Sequence, residues 1–203
     1  MRPRKDPRIR REMFIEAATG LFLQYGNEKV SIKAVLEAVG DRSASPSVFY
    51  YYFKNKDELY RAVIRHIADT YVSGFEKAFA DNGTSLEEKA AALARMMVSS
   101  LAANRSISYE GLSAADRGFV LDMKEQVTAS LAEMWERFLS GYGLCKDEDV
   151  KQISLFIAGG IAQMIMDYLS RSGRSEESER KLVRNMVLFS VSVIGFDDGK
   201  SNS

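Results

Sequence analysis

Apolar residues recur every three to four positions through most of the chain, and the period-two alternation of a strand persists nowhere. The first stripe sets Ile9, Met13, Ala17 and Leu21 beside Phe14, Ala18, Phe22 and Tyr25. It predicts a helix from Arg8 that Gly26 ends. Residues 1–7, with two prolines and three basic residues, read as a mobile arm ahead of it. Ser31 caps a short second helix with Ile32, Val35, Leu36 and Val39 on one face, and Gly40 stops it. A polar turn from Asp41 to Ala44 follows. Ser45 and Pro46 then open a third helix, the serine as cap and the proline where an amide would be unpaired anyway. Phe49 and Phe53 lie one turn apart, as do Val48 and Tyr52, which leaves Ser47, Tyr50 and Tyr51 on another face. Asn55 with Glu58 is a capping box for a fourth helix. A third helix of about two turns cannot stand alone in water, so its neighbours must hold it. Three short amphipathic helices, the last two joined by a turn, have the layout of a helix-turn-helix.

Farther along, Leu59, Val63, Ile67, Tyr71 and Phe75 carry the fourth helix to about Asp81, where Asn82-Gly83 breaks it. Ser85 and Glu88 box the start of a helix running to about Ala103. Asn104 to Leu112 reads as irregular. Ser113 with Asp116 opens a helical region through Gly141, with Leu121, Val127, Leu131, Met134, Trp135 and Phe138 expected inside. A helix from about Asp147 to Ser172 and a last one over about Glu176 to Ile194 follow, then a polar tail. The expected fold is all-α, with about nine helices and no internal repeat.

Composition adds little to this; charge adds more. The hydrophobic fraction of 46% and the charged fraction of 28% are those of an ordinary globular protein. No apolar run approaches the roughly 20 residues that span a bilayer, so no membrane is expected. The first residues lack the apolar stretch of a secretory signal, and a lone Cys145 fits a reducing compartment, so the expected location is cytoplasmic. Net charge is zero, yet residues 1–66 hold 13 Lys and Arg against 8 Asp and Glu, which leaves the remainder acidic. A basic N-terminal third suits a polyanion partner.

The stretches Arg11-x-x-Phe14-Ile15-x-Ala17-Ala18-x-x-Leu21-Phe22-x-x-x-Gly26, Ser31-Ile32-x-x-Val35, Gly40, and Tyr50-Tyr51-Tyr52-Phe53-x-x-Lys56-x-x-Leu59 belong together. Residues 8 to about 66 that carry them resemble the DNA-binding domain of the TetR (tetracycline-repressor-like) transcriptional regulators. The final aromatic block is the most specific part. Two departures stand out: the segment from Gly40 to Phe53 is about three residues longer than usual in the family, and Leu36 and Val39 replace small residues. The resemblance implies an N-terminal arm and three-helix helix-turn-helix bundle over residues 1–55. It also implies a larger helical ligand-binding and dimerisation domain over residues 56–203.

In that light Pro46–Phe53 is the expected recognition helix, entering the major groove of a double-stranded DNA operator. The family positions put Ser47, Val48 and Tyr51 at base edges, although Val48 also stacks on Tyr52 as a core residue would. Ser45, which caps this helix, is also among the expected DNA contacts. Tyr50, Lys56 and Ser31 are expected on phosphate, with Lys33, Arg42 and the basic arm adding salt-sensitive attraction. One such helix reads only a few base pairs, so a homodimer is expected. Ile153, Ile157, Ile161 and Ile165, beside small residues, and Met186, Phe189 and Val193 of the last helix are the expected dimer face. For an unknown small-molecule effector, mostly apolar or aromatic, the candidates are Met97, Tyr109, Phe119, Met123, Trp135, Phe138, Met164 and Tyr168. Residues of these types at helical spacing are also common as plain core. The expected function is a ligand-responsive regulator, a repressor released by its effector. The competing class is a helical protein-interaction adaptor.

An enzyme is not expected. The single histidine, His66, has no cysteine or carboxylate pair at metal spacing, Cys145 has no activating neighbour beyond Lys146, and Gly141-Tyr-Gly143 lacks the third glycine of a nucleotide loop. No metal and no cofactor are expected.

Overall fold

The computed structural model describes residues 6–41, 44–80, 83–102, 113–142, 147–171 and 174–194. Among these are eight helices and no strand, against about nine helices expected. They are α1 (Pro7–Tyr25), α2 (Ile32–Val39), α3 (Pro46–Tyr52), α4 (Lys56–Ala80), α5 (Leu86–Ala102), α6 (Ala114–Tyr142), α7 (Asp147–Ser170) and α8 (Glu176–Ile194).

Short-range chemistry sets most of the helix starts. The Asp6 side chain accepts from the Arg8 amide at 2.8 Å, so Pro7, expected in the arm, is instead the first residue of α1. Gly26 closes that helix at φ 82°, and Gly40 closes α2 in the left-handed region at φ 65°, where a Cβ is disfavoured. At α4 the box is skewed: Asn55 Oδ1 accepts from the Glu58 amide at 2.9 Å, but Glu58 reaches back to the amide of Lys54 at 2.8 Å. At α5 it is reciprocal, with Ser85 Oγ accepting from the Glu88 amide and Glu88 from the Ser85 amide.

The N-terminal bundle packs around Phe14, Phe22, Val35, Phe49, Phe53, Leu59 and Val63, all at most 1% exposed. Two of these come from α4, whose first turns thus complete the bundle. Farther along, Phe75 and Phe79 stack at 3.9 Å between centroids, and the Trp135 ring meets both edge-on at 5.0 and 5.7 Å. The helix serves both ends of one continuous core. Behind it α6 packs along α7, and α8 packs against α5 and α7. Leu121, expected inside, is 49% exposed, because α6 turns the neighbouring Val120 and Phe119 inward instead.

The N-terminal bundle is joined to the rest where α6 begins. The Asp116 carboxylate, 5% exposed, accepts from the Glu28 amide at 3.2 Å and from Ser113 Oγ at 2.9 Å. A side chain at Gly26 would run into it. Phe119 lies edge-on to Phe22 at 5.9 Å and to Tyr60 at 5.4 Å. Tyr60 Oη also donates to Asp122 at 2.6 Å.

Residues 149–170 of α7 form the one helix among the described residues long and apolar enough to cross a membrane by length and composition, which the apolar-run expectation overlooked. It lies in the bundle against α6 and α8, with Ile157, Ala158, Ile161 and Tyr168 buried. Only 28% of its most apolar window is buried within the chain.

Candidate nucleic-acid interface

The short helix α3 is fixed from one side only. Phe49 and Phe53 are fully buried, 5.5 Å apart, and both meet the Phe14 ring edge-on at 5.9 and 6.3 Å. The Arg11 guanidinium covers Phe53 at 5.0 Å, a cation–π contact from α1. Ser45 Oγ accepts from the Val48 amide at 3.4 Å, a long but correctly placed cap. Ahead of it, Arg10 pairs with Asp41 at 3.3 Å and the Ala44 amide donates to the Asp41 carbonyl at 2.7 Å, which ties the turn to α1.

The other side of α3 faces water. Pro46 and Ser47 are exposed, Tyr50 is 56% and Tyr51 75% exposed, and Val48 is half-buried against the core. The two tyrosines are not loose. Tyr50 leans edge-on against Phe49 at 5.3 Å and Tyr51 against Tyr52 at 4.9 Å. Two aromatic hydroxyls and a serine are thereby presented on a rigid, water-facing surface, a geometry suited to hydrogen bonds with phosphates and base edges.

The remaining nucleic-acid candidates fall into different situations. Ser31 caps α2, accepting from the Ala34 amide at 3.1 Å, and as a hydroxyl can still donate outward. Lys33 is exposed beside Glu37 at 3.8 Å, a surface pair. Lys56 is half-buried, and its Nζ donates to the Asn27 carbonyl and lies 6.0 Å from the Phe22 ring. Burial holds its ammonium below the usual lysine range, opposed by the nearby Asp57, Asp116 and Glu28 carboxylates. Lys56 therefore braces the α1–α2 turn, a role its spacing did not reveal. Arg42, like Arg2, Arg4 and Lys5 of the arm, lies outside the described residues.

The expected effector residues are scattered. Met97 and Met123 line a cavity between α4, α5, α6 and α7 of about 490 Å³, open solvent at its mouth included. Phe119 belongs to the junction with Phe22, Trp135 and Phe138 pack with Phe75 and Phe79, and the buried Tyr168 donates to Glu179 at 3.3 Å. Met164 is half-buried without lining the cavity, and Tyr109 lies outside the described residues. Sequence reasoning missed Tyr71, Lys124 and Thr128 in the cavity wall. The i, i+4 spacing of the last two beside Val127 and Leu131 was the available signal.

The residues of the expected dimer face lie largely inward within the single chain. Ile157, Ile161 and Met186 are at most 2% exposed inside the chain's own core, and Ile153, Ile165, Phe189 and Val193 are half-buried. Phe189 fits over Gly160, where a Cβ would collide with its ring. The outward apolar residues of these two helices are Leu155 (46% exposed), Phe156 (62%) and Leu188 (52%), with Phe156 5.5 Å from Phe189.

Residues 14–63 match the family model described as bacterial regulatory proteins, tetR family. No curated protein matches the sequence. Among solved structures, a TetR-family transcriptional regulator of Mesorhizobium loti is 19% identical, with 94% of this chain and 98% of that chain covered and a TM-score of 0.60. The fatty acid degradation regulator FadR of Bacillus halodurans is 18% identical over 97% and 100% of the two chains, at a TM-score of 0.65. Reduced NemR of E. coli is 15% identical over 90% and 96%, at 0.55. Identities at this level speak to the fold. The N-terminal helices are thus similar to the helix-turn-helix domain of the tetR family of bacterial regulatory proteins, and the chain shares the all-α fold of solved TetR-type transcriptional regulators.

Proposed function

We propose that the chain is a homodimeric transcriptional repressor that grips an operator through α3 of each protomer and lets go when a small, mostly apolar effector enters the C-terminal helices. The observation that carries this reading is the split character of α3: Phe49 and Phe53 are fully buried, while Tyr50 and Tyr51 stand out in water on braced rings. A helix this short has little reason to display two tyrosines unless their outer faces meet something. The DNA-binding unit takes in residues 1–55, and the effector and dimerisation unit follows from residue 56. The first turns of α4 are shared between them, since Leu59 and Val63 complete the N-terminal core.

Dimerisation supplies the second reading head. Leu155, Phe156 and Leu188 form the contact, and the low internal burial of α7 supports a partner there. Effector control follows from differential affinity, with the occupied cavity favouring one spacing of the two α3 helices and DNA another.

The test is selection of binding sites from random duplexes. Tyr50→Ala and Lys56→Ala are expected to weaken selected and unselected duplexes alike, and Ser47→Ala or Tyr51→Ala to change which sequence is recovered. Unchanged preference in all four variants would sink the assignment. A helical adaptor, in contrast, would retard no duplex with any sequence preference.

A further inference from the structure

Two consecutive arginines of α1 reach the two ends of α3. Arg10 Nη2 pairs with Asp41 Oδ2 at 3.3 Å ahead of the helix, and the Arg11 guanidinium covers the Phe53 ring at its far end, 5.0 Å from the centroid. Asp41 follows Gly40, whose left-handed turn ends α2. Its carbonyl accepts from the Ala44 amide at 2.7 Å, next to the Ser45 cap. The pair thus ties the turn that leads into α3 to a helix 31 positions away.

Phe49 and Phe53 hold α3 down, but burial of rings is non-directional and sets how deep the helix sits more than where it points. A charge-assisted hydrogen bond has a direction. The Arg10 and Asp41 side chains are 23% and 22% exposed, against 85% and 68% for the surface pair of Lys33 and Glu37, so water and salt screen them less. The sign of Asp41 is also informative. A carboxylate beside a surface that meets phosphates lowers affinity for any duplex, and a positioning role accounts for its presence there. Direction matters because polar contacts at a binding surface tolerate misalignment of only about 10–20°.

We infer that the Arg10–Asp41 pair fixes the direction of α3 and so sharpens the choice of duplex sequence, as a positioning pair that touches no DNA itself. The inference rests on reading α3 as the recognition helix. When the pair is broken, Ser47 and Tyr51 lose their alignment with base edges, whereas contacts to phosphate follow charge more than angle and persist.

The test compares the full chain with Arg10→Gln, Asp41→Asn and the double variant, by fluorescence anisotropy. One duplex is recovered by selection from random sequences, and the other is a scrambled duplex of the same composition. Asp41→Asn is expected to weaken the selected duplex about tenfold, the order of one base-edge contact, and to leave the scrambled one equal or slightly tighter. Arg10→Gln and the double variant are expected to show the same ratio of the two affinities as Asp41→Asn, because neither partner positions α3 alone. Partial unfolding does not mimic this result, since a smaller folded fraction weakens both duplexes by one factor and leaves their ratio unchanged. If Arg10 met a phosphate directly, Arg10→Gln would weaken both duplexes alike and lower the salt slope by about one, and Asp41→Asn would tighten both. That outcome overturns the inference, as do losses of ratio that add in the double variant. A preference that survives all three changes overturns the positioning role and leaves α3 as the recognition helix. Absence of any preferred duplex for the unaltered protein overturns both.

Discussion

Tyr60 shows how one side chain can report on the packing around it. Its hydroxyl donates to Asp122 at 2.6 Å, and its ring lies against Phe119. Burial first, and then the hydrogen bond to the Asp122 carboxylate and that carboxylate's charge, raise its ionisation well above the ordinary phenol range. A group whose folded-state pKa is raised contributes stability that is complete below its unfolded value, near 10, and is lost as pH climbs through the higher folded value. The melting temperature of the unaltered protein is therefore expected to fall more steeply than that of Tyr60→Phe between about pH 9.5 and 11. Parallel decline of the two would show that the phenol–carboxylate contact adds nothing to stability. Nothing in the sequence joins positions 60 and 122, because the bond depends on how two helices cross.

At the scale of the element, caps were legible and faces less so. Ser31, Ser45, Asn55, Ser85 and Ser113 each sit where a helix begins, since a cap acts over three or four residues and needs no tertiary partner. In α3 the aromatic spacing also told inside from outside. Its two faces should respond differently to truncation: Phe49→Ala is expected to cost about 3–5 kcal/mol of stability, and Tyr51→Ala within about 0.5. Chemical denaturation followed by circular dichroism measures both, and comparable losses would contradict the split. In α7 the spacing misled. Apolar residues surround it almost completely, so the periodicity could not tell Ile157, fully buried, from Phe156, 62% exposed. The cavity was hidden for a related reason, since a gap between four helices depends on their separations and not on any one stripe. Lys56 was half legible: its position at a helix start was plain, its hold on the Asn27 carbonyl was not.

For the whole molecule, the proposed dimer rests on the apolar surface of α7 and α8. Phe156 and Leu188 are exposed on adjacent helices, and a charge placed there would have to be buried in any dimer built on that face. Phe156→Glu is expected to give a folded monomer in sedimentation velocity at micromolar concentration, with duplex affinity falling along with the dimer. A dimer that survives the change would move the contact elsewhere. The overall plan, a small basic reading head on a larger helical body, was visible in the charge division and the motif blocks. The way the two parts are fastened was not. The first turns of α6 lend the head a carboxylate for the Glu28 amide and a ring for Phe22. This makes the reading head a poor candidate for transplantation. A chimera that cuts after Ala80 and grafts residues 6–80 onto a foreign sensor would leave that amide and that ring open to water, so a workable graft must carry Ser113–Asp122 along with it or rebuild their two contacts.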